Sequence, residues 1–330
     1  MRCRVLVTGA SGFLGNHLVR VLIQNNYNVR IFIRETSDIS ILGDLDLEVH
    51  RGDFSSREDV GKAVENCTYV IHCASLTAQD ITDFEVYQKA NIDSTRMLVE
   101  VSKKHPVKRF IYVSSTNSFT PGSKDSPGNE NSSLMKKLKN SGYAYSKYLA
   151  QTLVLEEAKK NDFPGIVVAP AFMVGPCDPK PSSGALLLYA FRNKILFCPR
   201  GGKSFVDVKG VATATVNALV KGETGESYIL SGINLTYKEF FKKVAAHTAE
   251  KKVIIPVPKL TGNILSTLSF LIPLKKLKHL RTNVGMLLLD NYFDNSKART
   301  TLSMPQTKID SLVAETVEWF LDNNYMDKKQ

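Results

Sequence analysis

The sequence has few cysteines and no long apolar run. Its five cysteines are an odd number in 330 residues and include no C-x-x-C pair. This pattern excludes a disulfide scaffold, makes metal ligation unexpected and favours reduced thiols. No window reaches the ~18 unbroken apolar residues of a membrane span, since the most apolar stretch, 264–274, is short and contains Pro273. The amino terminus enters a predicted strand at once, unlike a signal peptide. We therefore expect a cytoplasmic chain without an integral membrane segment.

The charge is strongly basic but dispersed. The formal net charge is +11, with 43% hydrophobic and 23% charged residues, which excludes a disordered chain. Two basic clusters stand out, at 136–139 and at 275–281, and neither is interleaved with aromatics as in a single-strand nucleic-acid groove. We expect no nucleic-acid partner. Because the second cluster follows the apolar stretch, peripheral membrane contact near 264–281 stays open.

Apolar runs alternate with helical patterns in the first half of the chain, and such alternation predicts a parallel sheet covered on both faces. The predicted strands are 4–7, 28–34, 47–50, 69–73, 109–114 and 166–169, and the predicted helices are 12–24, 56–65, 83–104 and 142–160. After Pro170 the pattern loosens, with helices only at 237–248 and 309–323. We predict an α/β fold, a Rossmann-type doubly wound parallel sheet with a smaller mixed α/β substrate lobe. Residues 1–173 and about 204–231 form the first domain, and about 174–203 and 232–330 form the lobe.

Three glycines follow the first predicted strand in the spacing G-x-x-G-x-x-G. Gly9 suits the tight turn that leaves the strand, Gly12 lets the backbone approach a pyrophosphate, and Gly15 lets the helix pack closely. The helix that begins there offers free N–H groups to phosphates. Because the triplet lies between a strand and a helix, it predicts a dinucleotide site.

The end of the second predicted strand bears on which dinucleotide binds. An acid there would bind the ribose 2′-hydroxyl of NAD, but Ile33 and then Arg34 occupy the place. A cation suits a 2′-phosphate, which favours NADP(H). NAD(H) stays possible, because Glu35 can serve a 2′-hydroxyl instead. Asp53 and Phe54 follow the third strand, where the adenine would lie, although Asp53 is also a common turn residue.

A tyrosine and a lysine share one helix face. Tyr143 and Lys147 are four residues apart. A phenol of pKa about 10 is a poor acid or base at neutral pH, and a nearby ammonium would lower that pKa. Hydroxyls of residues 114–116, at a strand end, can align a substrate carbonyl. We read His72 as a strand histidine with satisfied hydrogen bonds, and Asn91 either as a brace for the active-site backbone or as an exposed helix residue.

These motifs resemble the extended short-chain dehydrogenase/reductases, the NAD-dependent epimerase/dehydratase family. The markers run along the whole chain, among them TGASGFLG, VIHCAS, FIYVSST, YAYSK and SFVDVKGVATATVNAL. The resemblance implies that Ser115, Tyr143 and Lys147 are catalytic, with Tyr143 the general acid and Lys147 also bonding the nicotinamide ribose. It implies a cofactor site made of Gly9, Ser11, Gly12, Phe13, Leu14, Gly15, Arg34, Asp53, Phe54, Ala74, Ser75, Tyr143, Lys147, Pro170, Phe172 and Val174.

Within that family the chain is most similar to the dihydroflavonol-4-reductase-like and 3β-hydroxysteroid-dehydrogenase-like branch. This similarity implies NADP(H)-dependent reduction of an aldehyde or ketone on an apolar small molecule. A nucleotide-sugar epimerase or dehydratase with tightly bound NAD is an alternative, as is a non-catalytic dinucleotide-binding regulator. Lys203 stands where sugar-nucleotide epimerases usually carry an arginine, and Gly210 replaces an acid, which weakens the nucleotide-sugar reading. Family analogy also makes a homodimer possible.

Overall fold

Seven short strands form one parallel sheet in the computed structural model, which describes residues 3–79, 81–132, 141–181, 184–248, 251–257 and 290–326. The strands are β1 (Arg4–Thr8), β2 (Asn28–Ile33), β3 (Glu48–Arg51), β4 (Tyr69–His72), β5 (Arg109–Val113), β6 (Gly165–Pro170) and β10 (Ser227–Leu230). Their order is β10-β6-β5-β4-β1-β2-β3, and every pair is parallel. The order reverses beside β1, so this is the predicted doubly wound sheet, and ligands bind such sheets at the carboxyl ends of the strands near that reversal.

Helices cover both faces of this sheet, because its strands are apolar on both sides. One face packs against α1 (Phe13–Gln24), α7 (Val208–Lys221) and α9 (Ser296–Leu302). The other face packs against α2 (Arg57–Val64), α4 (Ser94–Ser102) and α5 (Gly142–Asn161). The predicted cap of α2 is confirmed, since the Ser56 hydroxyl accepts a hydrogen bond from the Asp59 amide.

The predicted helix at 83–104 is interrupted. It consists of α3 (Phe84–Tyr87), a π turn (Gln88–Asp93) and α4. The hydroxyls of Ser94 and Thr95 donate to the carbonyls of Ala90 and Asn91, at 2.7 and 2.6 Å. These bonds give carbonyls in the irregular segment side-chain partners, and π turns often occur at functional sites.

A second, smaller lobe follows β6. Its strands are β7 (Phe172–Val174), β8 (Ile195–Cys198), β9 (Gly202–Asp207), β11 (Ile233–Thr236), β12 (Val253–Pro256) and β13 (Asp290–Asn291), and its helices are α6 (Gly184–Arg192), α8 (Tyr237–Ala245) and α10 (Ile309–Asp322). The central strand β9 pairs with β7, β11 and β13, while β8 pairs with β12. A separate apolar core, with Phe205 and Phe240 stacked 4.1 Å apart, holds the lobe together.

All five cysteines are free thiols. In the part of the chain that the structure describes, no helix is long and apolar enough to cross a membrane. The stretch 264–281, where we considered membrane contact, and the basic cluster at 136–139 lie outside the described residues.

Candidate active site

The glycine loop joins β1 to α1. Gly9 has a φ of +70°, a left-handed conformation that glycine adopts without strain, and a Cβ there would come within 2.6 Å of the Ala74 nitrogen. A Cβ on Gly15 would lie 2.0 Å from the Gly9 carbonyl oxygen, so this glycine lets the helix contact the loop. The loop therefore has no room for a side chain at either Gly9 or Gly15.

The space next to the start of α1 suits an anion. Gly12 is exposed, and a Cβ there would meet only the Gly9 oxygen, at 3.3 Å. No side chain caps the helix, and its first turn carries no acidic residue. The helix therefore keeps free N–H groups and its positive end for a pyrophosphate. Ser11 and Phe13 are half-buried here and Leu14 is buried, so the residues present fit the dinucleotide that the sequence predicts.

The loop after β2 exposes both candidate ribose-binding residues, Arg34 and Glu35. Arg51, at the end of β3, donates to the carbonyls of Glu35 at 2.8 Å and of Arg34 and Ser37 at 3.3 Å. Arg51 thus fixes the backbone that presents Arg34 and brings a second cation close to it. Sequence reasoning missed this contact, whose only signal was a basic residue ending a strand.

Asp53 and Phe54 follow β3. Asp53 is exposed, and its carboxylate accepts a hydrogen bond from the Ser55 amide at 2.8 Å, which lowers the pKa of the acid. It is therefore an exposed turn residue. The Phe54 ring packs on Phe32 at 4.4 Å.

Ser115 is the least buried member of the predicted hydroxyl cluster after β5. The Ser114 hydroxyl is buried and donates to Gln151 at 2.6 Å. Ser115 is half-buried, accepts a hydrogen bond from the Asn117 amide at 3.2 Å and hydrogen-bonds the Tyr143 phenol. The structure thus brings Ser115 and Tyr143 together, as predicted, and leaves Ser114 in a structural role.

Tyr143 and Lys147 lie in the first turns of α5, whose N-cap Ser141 bonds the Ala144 amide. The Lys147 ammonium is buried; it donates to the Val113 carbonyl at 2.6 Å and lies 4.3 Å from the centre of the Tyr112 ring. Burial lowers the pKa of Lys147 to about 7. Ionised and neutral forms of this lysine therefore coexist at neutral pH.

The lowering of the Tyr143 pKa by Lys147, expected beside the cofactor's ribose, stays a prediction. Burial raises the pKa of Tyr143 above 10, and the hydrogen bond that partly opposes this rise comes from Ser115. The phenol is consequently protonated at neutral pH, which suits proton donation rather than abstraction. The Cys73 thiol lies near both side chains, and no sequence pattern singled out this cysteine.

Asn91 is a brace and not an exposed residue. It lies in the π turn and is buried. Its amide oxygen accepts from the Leu76 amide at 2.7 Å and the Ser75 hydroxyl at 3.1 Å, and its NH₂ group donates to Ser146 at 2.9 Å. Asn91 thereby ties the loop after β4, which contains the predicted cofactor residues Ala74 and Ser75, to helix α5.

His72 has satisfied hydrogen bonds, as predicted. Its Nδ1 lies 2.7 Å from the Thr8 hydroxyl and its Nε2 lies 3.1 Å from the Thr95 hydroxyl. Thr95 donates its own proton to the Asn91 carbonyl, so Nε2 carries the histidine proton and Nδ1 accepts from Thr8. Burial lowers the pKa of His72 to about 3. A neutral chain of hydrogen bonds therefore links β1, β4 and the π turn.

The remaining predicted cofactor residues lie between the two sheets. Pro170 ends β6, and Phe172 and Val174 lie on β7. Val174 is buried in the core of the smaller lobe, so only its backbone is available to a ligand. Phe172 is half-buried and lines a cavity.

This cavity, of about 280 Å³, opens beside Ser115. Thr116 and Asn117 line it from the large sheet, and Phe172, Lys203 and Ser204 line it from the second sheet. The Lys203 ammonium lies 5.2 Å from the centre of the Phe172 ring, and burial lowers the pKa of this lysine to about 8. In the sequence, Lys203 was notable only because sugar-nucleotide epimerases usually carry an arginine at this place.

Comparison with known proteins agrees with this geometry. The model of the NAD dependent epimerase/dehydratase family matches residues 5–231, more than half of the chain. A 3-beta-hydroxysteroid dehydrogenase of Mycolicibacterium neoaurum is 27% identical over 97% of this chain and 92% of that protein. Vestitone reductase of Medicago sativa is 28% identical over 76% of this chain and 83% of its own.

The fold likeness extends to solved structures. The crystal structure of Thermus thermophilus UDP-glucose 4-epimerase in complex with NAD aligns with a TM-score of 0.76, at 19% identity, over 96% of this chain and 98% of that one. At this identity the likeness establishes the fold alone. Together with the family match along the glycine loop and the sheet, these comparisons establish that the chain is an NAD(P)-dependent oxidoreductase that belongs to the NAD dependent epimerase/dehydratase family.

Proposed function

We propose that the protein is an NADP(H)-dependent reductase that converts an aldehyde or ketone into an alcohol. The observation that carries this proposal is that Ser115, which lines the cavity, lies beside Tyr143, whose buried phenol is protonated at neutral pH. NADPH, when bound, supplies the hydride that reduces the carbonyl carbon. The similarity to vestitone reductase and to a 3-beta-hydroxysteroid dehydrogenase supports a carbonyl on a largely apolar substrate.

Each side chain has a distinct role in this proposal. The Ser115 hydroxyl donates to the substrate carbonyl oxygen and orients it. Tyr143 gives its phenolic proton to the same oxygen as the alcohol forms. Lys147 binds the nicotinamide ribose, and Val113 already holds its ammonium at the sheet edge.

The glycine loop would hold the pyrophosphate through Gly12 and the free N–H groups of α1. Asp53 and Phe54 would border the adenine, Ala74 and Ser75 the middle of the dinucleotide, and Pro170, Phe172 and the Val174 backbone the nicotinamide. Arg34, with Arg51 bracing its loop, would hold the 2′-phosphate of NADP.

The test of the reaction is absorbance at 340 nm with NADPH or NADH and a panel of aldehydes, ketones and flavanonols. We expect faster oxidation of NADPH. No oxidation with any carbonyl would contradict the reductase, and interconversion of nucleotide sugars without net redox would establish the epimerase in its place.

The test of the cofactor preference compares Arg34→Ala with Glu35→Gln. Arg34→Ala should lower the NADPH over NADH preference in kcat/KM about 10- to 100-fold, because a charged hydrogen bond to phosphate contributes about 1.5–3 kcal/mol. Glu35→Gln should leave that preference unchanged. Loss of NADH use in Glu35→Gln, with Arg34→Ala unaffected, would assign the site to NAD.

A further inference from the structure

Lys203 is a cation without an anion. It extends from β9, lines the cavity beside Ser115 and is largely buried. Among the described residues, no carboxylate lies within salt-bridge distance of its ammonium, which contacts the Phe172 ring instead. Lys209, six residues along the chain, is by contrast paired with Glu315 at 2.7 Å. Burying an ammonium without a partner opposes folding, so the position of Lys203 has no evident structural benefit.

A second polar group on the same strand also lacks a partner. Ser204 is 1% exposed, and its hydroxyl makes no hydrogen bond within the part of the chain that the structure describes. Buried hydroxyls are nearly always hydrogen-bonded in folded proteins. Lys203 and Ser204 are adjacent on β9, so their side chains point to opposite faces of the second sheet. The ligand group that satisfies Lys203 is therefore not the one that would satisfy the Ser204 hydroxyl, and Lys203 carries the inference.

The rest of the described cavity wall is uncharged at neutral pH. Its polar members are hydroxyls and carboxamides, among them Ser115, Asn117 and Asn291. One ammonium balances one negative charge. It is a point charge without the paired donors with which arginine clasps a phosphate. These features favour a monoanion over the two charges of a nucleoside diphosphate.

We propose that Lys203 binds a carboxylate on the substrate, so that the enzyme acts on carbonyl compounds, or the corresponding alcohols, that carry a carboxylic acid. This inference rests on the proposed reductase function and names its substrate class. Ser115 and Tyr143 face the carbonyl of the same substrate. Lys203 is thus a specificity-determining residue and takes no part in proton transfer.

The kinetic test compares matched ketones that differ only in charge. We would measure NADPH oxidation with 4-oxocyclohexanecarboxylate and 4-acetylbenzoate and with the methyl ester of each. Wild-type kcat/KM should be about 10- to 100-fold higher for the acids, the range expected for a charged hydrogen bond. Lys203→Met should abolish that ratio through the KM of the acids and leave the esters unchanged, and Lys209→Met should keep the wild-type ratio. Equal use of acids and esters by the wild type would overturn the inference.

A binding test separates failure of this inference from failure of the reductase proposal. Calorimetric titration of the NADP⁺-loaded protein with benzoate and benzamide needs no turnover. Benzoate should bind the wild type more tightly than benzamide, and Lys203→Met should remove the difference. That result without any carbonyl reduction would contradict the reductase but keep the anion site. Equal binding of the two compounds would overturn the anion site whether or not carbonyls are reduced.

Thermal unfolding distinguishes binding from a structural role. Because the unpaired ammonium opposes folding, Lys203→Met should unfold at the wild-type temperature or above it. A clearly lower unfolding temperature would assign Lys203 a structural role and contradict the inference.

Discussion

The parallel sheet and the second sheet each contribute a largely buried lysine, and the two lysines have different surroundings. Lys147 donates to the Val113 carbonyl at 2.6 Å and lies over the Tyr112 ring. Lys203 contacts the Phe172 ring, and no described carboxylate or carbonyl holds it. Burial lowers the pKa of both, to about 7 and about 8. The Lys147 ammonium is held in place before any ligand binds, whereas the Lys203 ammonium needs a ligand as its hydrogen-bond acceptor.

This difference suits the edge of the parallel sheet to catalysis and the second sheet to substrate recognition. The sheet edge presents a preorganised set in which Asn91 and Ser115 fix the backbone and the phenol. The second sheet presents polar groups without partners, Lys203 and the Ser204 hydroxyl. We therefore expect substitutions at the edge to reduce kcat for every substrate, and substitutions in the second sheet to change which substrate is used.

The largest effect should come from the phenol. Tyr143→Phe removes the proton donor and should lower kcat about 10²–10⁴-fold, the range of general acid catalysis, while NADPH affinity stays close to wild type. Steady-state kinetics and fluorescence titration of NADPH measure the two quantities. Tyr145→Phe, on the same helix, is the control and should keep wild-type activity. A normal kcat in Tyr143→Phe would show that Tyr143 is not the general acid.

Lys147 sharpens the comparison with Lys203. Lys147→Met should lower kcat about 10²-fold and weaken NADPH binding with acids and esters alike, since it removes a group that contacts the proposed ribose site. Lys160→Met changes the same charge farther along α5, where Lys160 pairs with Glu156, and should have no effect. If Lys147→Met changed only the preference for acids over esters, Lys147 would act in substrate recognition. That result would contradict the separate roles that we assign to Lys147 and Lys203.

Asn91 tests the preorganisation of the edge. Asn91→Ala leaves the Leu76 amide without its acceptor and should lower the free energy of unfolding by about 1–3 kcal/mol. Asn25→Ala removes one exposed hydrogen bond at the end of α1 and should cost much less. Urea denaturation of both variants measures the difference, and equal stability would show that the network does not hold the loop.

The smallest effect concerns pH. Burial lowers the pKa of His17 from 6.5 to about 4. Between these values the unfolded chain binds a proton that the folded chain does not, so stability falls as the pH decreases from 6.5 towards 4. His17→Gln should reduce the loss of unfolding free energy between pH 7 and pH 5 by about 1–2 kcal/mol. Urea denaturation at the two pH values checks this, and an unchanged difference would mean that His17 ionises normally.

The sequence predicted the large sheet better than the smaller lobe. Most strands from β1 to β6 contain runs of apolar residues, with the polar β3 (EVHR) as the exception, and local patterns located all six to within a residue or two. By contrast, β13 contains two residues and pairs with β9, about 90 positions earlier. No local pattern specifies such a pairing, because the partner strand supplies the hydrogen bonds.

The same limit applies within the site. The spacing of Tyr143 and Lys147 predicted that they share a face, but their pKa values depend on burial and on contacts with residues from β5 and β4. The π turn around Asn91 likewise depends on local hydroxyl bonds that a helical periodicity does not reveal. In the sequence, Lys203 stands out only as a lysine in place of the usual arginine. Only the fold shows that no described carboxylate pairs with its ammonium.

Transfer of a labelled hydride tests the central claim most directly. The protein would be incubated with NADPH carrying two deuterium atoms at C4 of the nicotinamide and with each ketone of the panel, and the alcohols analysed by NMR. From this claim we predict one deuterium on the carbinol carbon, one NADP⁺ formed per alcohol, and loss of both in Tyr143→Phe. Cofactor that stays reduced, with no label in any alcohol, would contradict it.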